Sequence, residues 1–254
     1  MLDINRIHSR LFEMAKTTKK ILENNDIPYT IAFGSLIGAI RHKGFVPWDC
    51  DFDLVLFADQ YEKAKQVLRE NLPDDMILQD ELNEPQYYHA WAHVKDKNSI
   101  ACSKNYKNDD VYIHRGLSVD LYIATRIDRK KLDLFCLKEN LKYRERLHKS
   151  GLIDDTEFKR NQNDLMKQIQ EEEKKISAED LGDIYALPLP RNYRIMGIDE
   201  LFPLKRYQFQ DELFWGPYNA DKMLTRIYGE YMKLPPVEER LPNYDSVVFL
   251  EKKF

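Results

Sequence analysis

Residues 31–57, IAFGSLIGAIRHKGFVPWDCDFDLVLF, constrain the fold more than any other stretch of this chain. Tyr29 to Phe33 is rich in β-branched and aromatic residues and predicts a strand. Gly34 ends it, and Ser35 is placed to cap a short helix over Leu36 to Arg41. That helix closes on the basic cluster Arg41-His42-Lys43. The chain then returns through Pro47-Trp48 into Asp49, Asp51 and Asp53, at the head of a second strand over Phe52 to Phe57. A phosphate-friendly turn therefore lies one short helix upstream of paired carboxylates, which points to metal-assisted chemistry on a phosphate ester.

Alternate side chains of a strand face the same way, so Asp51 and Asp53 share a face about 7 Å apart at Cα, and Phe52 and Leu54 point into the core. Two such carboxylates can lean onto one divalent ion or bracket a pair. Mg²⁺ suits the pattern because it takes one or two carboxylates and completes its shell with waters and phosphates. A plain acidic turn before a strand has the same composition, so the triplet alone leaves both readings open. A calcium loop is a poor fit, with Leu54 where the loop needs Gly and Gln60 where it needs Glu. A glycine between strand and helix lets backbone N–H groups approach an anion at a helix N-terminus, although many such turns bind nothing. Asp120, in HRGLSVDLY, interrupts an apolar run where Val or Ile is the default. A carboxylate there is costly to bury unless it is paired or bound to metal, and an exposed strand position is the alternative. On a neighbouring strand it would complete a two-metal clamp.

The rest of the chain supplies the frame. Ile7, Leu11, Met14, Ile21 and Leu22 recur at helical spacing between Ile4 and about Asn25. A helix is expected from Asp59 to about Glu70, and strands at Met76 to Gln79, Trp91 to Lys95 and Leu117 to Ala124. Long charged helices run from about Lys130 to Leu181. Beyond Pro188-Leu189-Pro190 the chain turns aromatic and irregular before a helix over Ala220 to Tyr231, which Pro235-Pro236 ends. This order predicts an α+β fold, a mixed β-sheet core with flanking helices and a helical C-terminal extension. The expected organisation is one domain over 1–254, with a core at 1–129, a charged helical insertion at 130–185 and an aromatic-rich segment at 186–254 packing on the core. At 254 residues and 43% apolar content the chain can bury one substantial core.

Net charge of −4 argues against a nucleic-acid partner. Cys50, Cys102 and Cys136 form neither a zinc pattern nor a disulfide framework. No stretch approaches the roughly 20 apolar residues of a membrane span, and the expected location is the cytoplasm, including the inner face of the membrane.

Four blocks in order carry a further signal: GSLIGAIRHKGFVPWDCDFDL, then KDKNS at Lys95 to Ser99, then His114-Arg115-Gly116 leading to Asp120, then Phe209 through DKMLTRIYGEYMKLPP to Pro236. Together they resemble the LicD family of phosphotransferases, whose members include fukutin and the fukutin-related protein. The resemblance implies a nucleotidyltransferase-type core. In it Asp51 and Asp53 are the metal-binding pair, Asp120 the third catalytic carboxylate, and Gly34 and Ser35 the phosphate turn. Arg41, His42 and Lys43 match the family's basic run, and Lys95 is a further substrate contact. Cys50 stands where the family usually has another Asp, and Glu230 replaces the usual Asp after Tyr228-Gly229.

The implied reaction moves a phospho-alcohol, phosphocholine foremost, from a CDP-activated donor to a saccharide hydroxyl and releases CMP, with Mg²⁺ or Mn²⁺ as cofactor. The acceptor it implies is a saccharide precursor, including one linked to a lipid. Two other readings remain open: a nucleotidyltransferase using a nucleoside triphosphate, and an inactive binding module. A choline head would want aromatic faces. Tyr87, Tyr88, Trp91, Trp215 and Tyr218 are the candidates, with core packing the commoner role for such residues.

Overall fold

Helix α1 (Ile4–Asn24) buries Ile7, Leu11, Met14, Ile21 and Leu22 on one stripe, and the Asp3 carboxylate caps it by accepting the Arg6 N–H at 3.1 Å. This computed structural model describes residues 2–103, 107–177, 181–188 and 194–250. After α1 come β1 (Tyr29–Ile31), α2 (Phe33–Ile37), β2 (Asp51–Phe57), α3 (Tyr61–Asn71), β3 (Met76–Gln79), β4 (Ala92–Asp96), β5 (Ser99–Cys102) and β6 (Ser118–Asp128). A helical hairpin follows, α4 (Leu132–Lys149) and α5 (Asp155–Lys175). The chain ends through β7 (Asp183–Leu187), β8 (Arg194–Gly197), α6 (Ile198–Leu201), β9 (Lys205–Phe209), β10 (Glu212–Gly216), α7 (Ala220–Tyr228) and β11 (Ser246–Phe249).

The central sheet has the order β1-β2-β6-β4-β3, and β7 and β8 extend it from the far end of β6. Strands β2 and β6 are parallel, whereas β1, β4 and β3 join antiparallel. The fold is α+β, a mixed sheet with helices against it. Phe52 is buried among the rings of Phe45, Phe209 and Phe214. Phe12 of α1 stacks on Phe209 and His8 on Phe45, so α1 seals the same side. Because β2 alternates, Asp51 and Asp53 are turned the other way.

Four boundaries depart from the sequence expectation. Ser35 lies inside α2 rather than at its cap, and Ala32 precedes the helix without a side-chain bond. The Ser35 hydroxyl instead accepts the backbone N–H of Asp53 at 2.8 Å, tying the helix to β2. Beyond Ile37 the chain widens into a π-turn over Gly38–His42 rather than continuing as α-helix. Gln60, not Asp59, precedes α3. Helix α7 stops at Tyr228 because Gly229 takes a positive φ of 65°, a conformation only glycine adopts freely.

The segment expected to be irregular is in part a hairpin. Strands β9 and β10 pair from Lys205↔Gly216 to Phe209↔Glu212 and place Phe209 and Phe214 in the core. The long charged helices are α4 and α5, and the C-terminal segment adds α6 and α7. Among the described residues, no helix is long and apolar enough to cross a membrane.

Candidate active site

Strand register builds two polar rungs across three strands. Asp51 of β2 lies opposite Ser118 of β6, which lies opposite Lys95 of β4. One rung further, Asp53 lies opposite Asp120, which lies opposite His93. Neighbouring strands are about 4.8 Å apart, so these side chains project from the same face within reach of one another. The sequence-expected acids Asp51, Asp53 and Asp120 are thereby brought together, and Lys95 stands beside them.

Asp49 joins them from the turn before β2. Its side chain bonds to that of Asp51, and its Oδ1 accepts the Cys50 N–H at 3.2 Å. His8 of α1 fixes the turn through a 2.8 Å bond to the Asp49 carbonyl. A Cβ on Gly34 would fall on the Asp49 carboxylate, so this glycine is needed for the approach of an acid. The N–H groups of Gly34 and Ser35, expected to face phosphate, donate to the Asp53 carboxylate. The acids occupy the helix start, and the phosphate would have to meet whatever the acids hold.

The electrostatics are unfavourable for four bare carboxylates. Burial holds Asp51 and Asp53 well above the usual carboxylate range, and the charges of Asp49 and Asp120 push both the same way. Burial also raises Asp49. Lys95 is only 8% exposed, and burial lowers its ammonium despite the nearby charges of Asp120 and Asp51. Burial and the Lys95 charge push His93 well below its ordinary value, leaving a neutral imidazole with Nε2 3.8 Å from Asp120.

Asp120 is itself oriented by two hydroxyls: Ser118 Oγ donates at 2.5 Å and the Tyr122 hydroxyl at 3.3 Å. The Asn243 amide donates to Asp51 Oδ2 at 3.2 Å. A pocket of about 250 Å³ opens over Asp49, Asp51 and Asp53 and is walled by Phe33, Gly34, Tyr122 and Tyr228. Through Gly34, Asp49 and Tyr228 it shares its lining with a larger groove of about 710 Å³ that reaches Arg41, Trp48, Lys233 and Asn243.

The basic run divides. Arg41 lines the groove and clamps its far wall, donating to the carbonyls of Tyr231 and Lys233. His42 accepts the Arg41 Nε–H at 2.9 Å, and Lys43 ends the π-turn in the left-handed region; neither lines the groove. Glu230 does line it.

A divalent cation is the natural counter-charge for this face, since a hard, oxygen-rich donor set is what Mg²⁺ and Mn²⁺ prefer. Among the described residues, no three acids, imidazoles or thiols already converge at ligand spacing. Water and substrate oxygens would have to complete any shell, as is usual for Mg²⁺.

Several contributors escaped sequence reasoning. Asp49 was legible as part of the triplet, although the period-2 argument singled out Asp51 and Asp53. Ser118, Tyr122 and His93 follow from the register of β6 and β4. Asn243 reaches Asp51 from 192 positions away, because β11 pairs with β5 and carries the preceding loop to the acids.

Residues 26–131, which span strands β1 to β6 and the acids, match the family model described as LicD/FKTN/FKRP, nucleotidyltransferase domain. The chain is 26% identical over 249 residues to the lipopolysaccharide cholinephosphotransferase LicD of Haemophilus influenzae, covering 91% of each protein. It is also 36% identical over 58 residues to an uncharacterized protein of Rickettsia prowazekii, covering 23% of this chain and 22% of that one.

Proposed function

We propose that this chain, which belongs to the LicD family, is a phosphotransferase that passes a phospho-alcohol from a CDP-activated donor to a saccharide hydroxyl and releases CMP. Phosphocholine is the group we assign first, because the relative alike over 91% of both chains is a cholinephosphotransferase. The two rungs Asp51–Ser118–Lys95 and Asp53–Asp120–His93 carry this reading. They gather carboxylates on one face of the sheet beside the pocket, which supports seating a donor pyrophosphate and its cation there.

Asp51 and Asp53, with Asp49 and Asp120 beside them, would hold Mg²⁺ or Mn²⁺. Such an ion, when bound, neutralises charge on the donor's phosphates. The chain's own groups do the rest by position and charge. Asp120, oriented by Ser118 and Tyr122, accepts the proton of the acceptor hydroxyl. The acceptor oxygen bonds to the phosphorus that bears the alcohol. The bond from that phosphorus to the bridging oxygen breaks, and CMP departs with the electron pair. Arg41 in the groove offers guanidinium donors to the leaving phosphate. Lys95, beside Asp51 and Asp120, supplies a second positive charge at the site. Leu234 and Leu241 line the groove and are exposed, which supports an acceptor carried on a lipid at the inner face of the membrane.

The test is release of CMP from a panel of CDP-alcohols with Mg²⁺ and saccharide acceptors. CMP from CDP-choline, reduced about 100-fold or more by Asp51→Asn, is the expected result, since the ion's charge stabilisation amounts to several kcal/mol. Release of pyrophosphate from a nucleoside triphosphate in place of CMP would overturn the reaction. Full activity of Asp51→Asn would overturn the metal assignment.

A further inference from the structure

Phe33 has a positive φ of 46°, in the left-handed region that is rare and costly for a bulky side chain. Strain of this kind persists where the surroundings over-determine it, and it concentrates at ligand clamps. Here it aims the ring. Phe33 starts α2 directly before Gly34, lines the acid pocket, and meets Tyr122 edge-on at 5.2 Å and 84°. Tyr122 in turn packs on Trp91 at 4.8 Å, which fixes it from behind. Tyr228 closes the third side. The pocket lining is thus three aromatic residues, three carboxylates and Gly34, with no cationic side chain among them.

The aromatic residues that the sequence offered for a cationic head are engaged elsewhere. Tyr87 and Tyr88 are buried with Tyr112. Arg206 covers the Trp215 ring at 3.8 Å and Lys205 covers that of Tyr218 at 3.9 Å. Trp91 is spent backing Tyr122.

A wall of π-faces beside negative charge suits a cation that cannot donate hydrogen bonds. We propose that Phe33, Tyr122 and Tyr228 receive the trimethylammonium head of the transferred phospho-alcohol, and that Phe33 is the residue that selects it. This inference rests on the phosphotransferase reading. A polyol head would need hydrogen-bonding groups in place of the Phe33 ring, and a primary ammonium would gain less from that ring because it keeps donors that compete for water and carboxylate.

Phe33→Gly tests the assignment, because glycine adopts the positive φ without strain and removes only the ring. Phe33→Leu keeps apolar bulk without a π-face. The readout is the ratio of kcat/KM for CDP-choline to that for CDP-ethanolamine, measured by CMP release, with melting temperature as the control for folding. The ratio is expected to fall about tenfold or more in both variants, through KM for CDP-choline, as loss of a desolvated cation–π contact implies. A wild-type enzyme that turns over CDP-choline, with an unchanged ratio in either folded variant, would overturn the selector role and leave the phosphotransferase intact. Preference of the wild-type enzyme for CDP-ribitol or CDP-glycerol would do the same. Failure of the wild-type enzyme on every CDP-alcohol would remove the underlying reaction as well.

Discussion

The acidic face of β2 and β6 and the α4–α5 hairpin are both rich in charge, and they use it in opposite ways. In the hairpin, Lys138 pairs with Glu173 at 3.0 Å and Lys142 with Glu139 at 2.6 Å, all partly in solvent. Such pairs contribute little, because high dielectric and side-chain entropy offset the attraction. At the head of β2, Asp49, Asp51 and Asp53 crowd together in a pocket whose lining has no cation. Charge in the hairpin keeps a surface wet, whereas charge on the sheet is stored at a cost to stability. What separates a functional carboxylate from a solvating one is its surroundings, not its type.

Gly34→Ala would break this comparison most severely after loss of an acid itself. The added methyl would displace the Asp49 carboxylate, and activity measured by CMP release is expected to fall about 100-fold, as misplacement by about an ångström does elsewhere. Asp53→Asn sharpens it from the side of stability. Removing one of several mutually repelling acids is expected to raise the melting temperature of the protein in EDTA by roughly 2–4 °C while abolishing Mg²⁺-induced stabilisation. A drop in the EDTA melting temperature would mean that the N–H bonds from Gly34 and Ser35 outweigh the repulsion. The smallest effect belongs to the hairpin: Lys138→Ala is expected to change stability by less than about 0.5 kcal/mol in urea unfolding and to leave activity alone. A larger loss would show that the hairpin's surface charges do more than solvate it.

Much of this frame was legible before any coordinates. The stripe of Ile7, Leu11, Met14, Ile21 and Leu22 named α1 because helical periodicity is local. Alternation along DFDLVLF put Asp51 and Asp53 on one side and Phe52 and Leu54 on the other, as the structure places them. The hairpin β9–β10 was hidden because Lys205, Arg206 and Gln208 dilute its apolar residues, and the two cations among them lie over Tyr218 and Trp215. Ser35 looked like a cap because its chemistry is that of a cap. Its hydroxyl went instead to the Asp53 N–H, a partner 18 residues away that no local pattern announces.

Residue order by itself determined helix α1, the strand that carries the acids, the shared face of Asp51 and Asp53, and the odd carboxylate at Asp120, since each follows from a short-range period or from the cost of a charge in an apolar run. Tertiary structure alone decided that Asp53 stands opposite Asp120 and His93, that Asp49 leans over Gly34, that Arg41 clamps the groove wall, and that Asn243 returns to Asp51. These depend on strand register and long-range closure, which many distant contacts settle together and which no window of sequence contains.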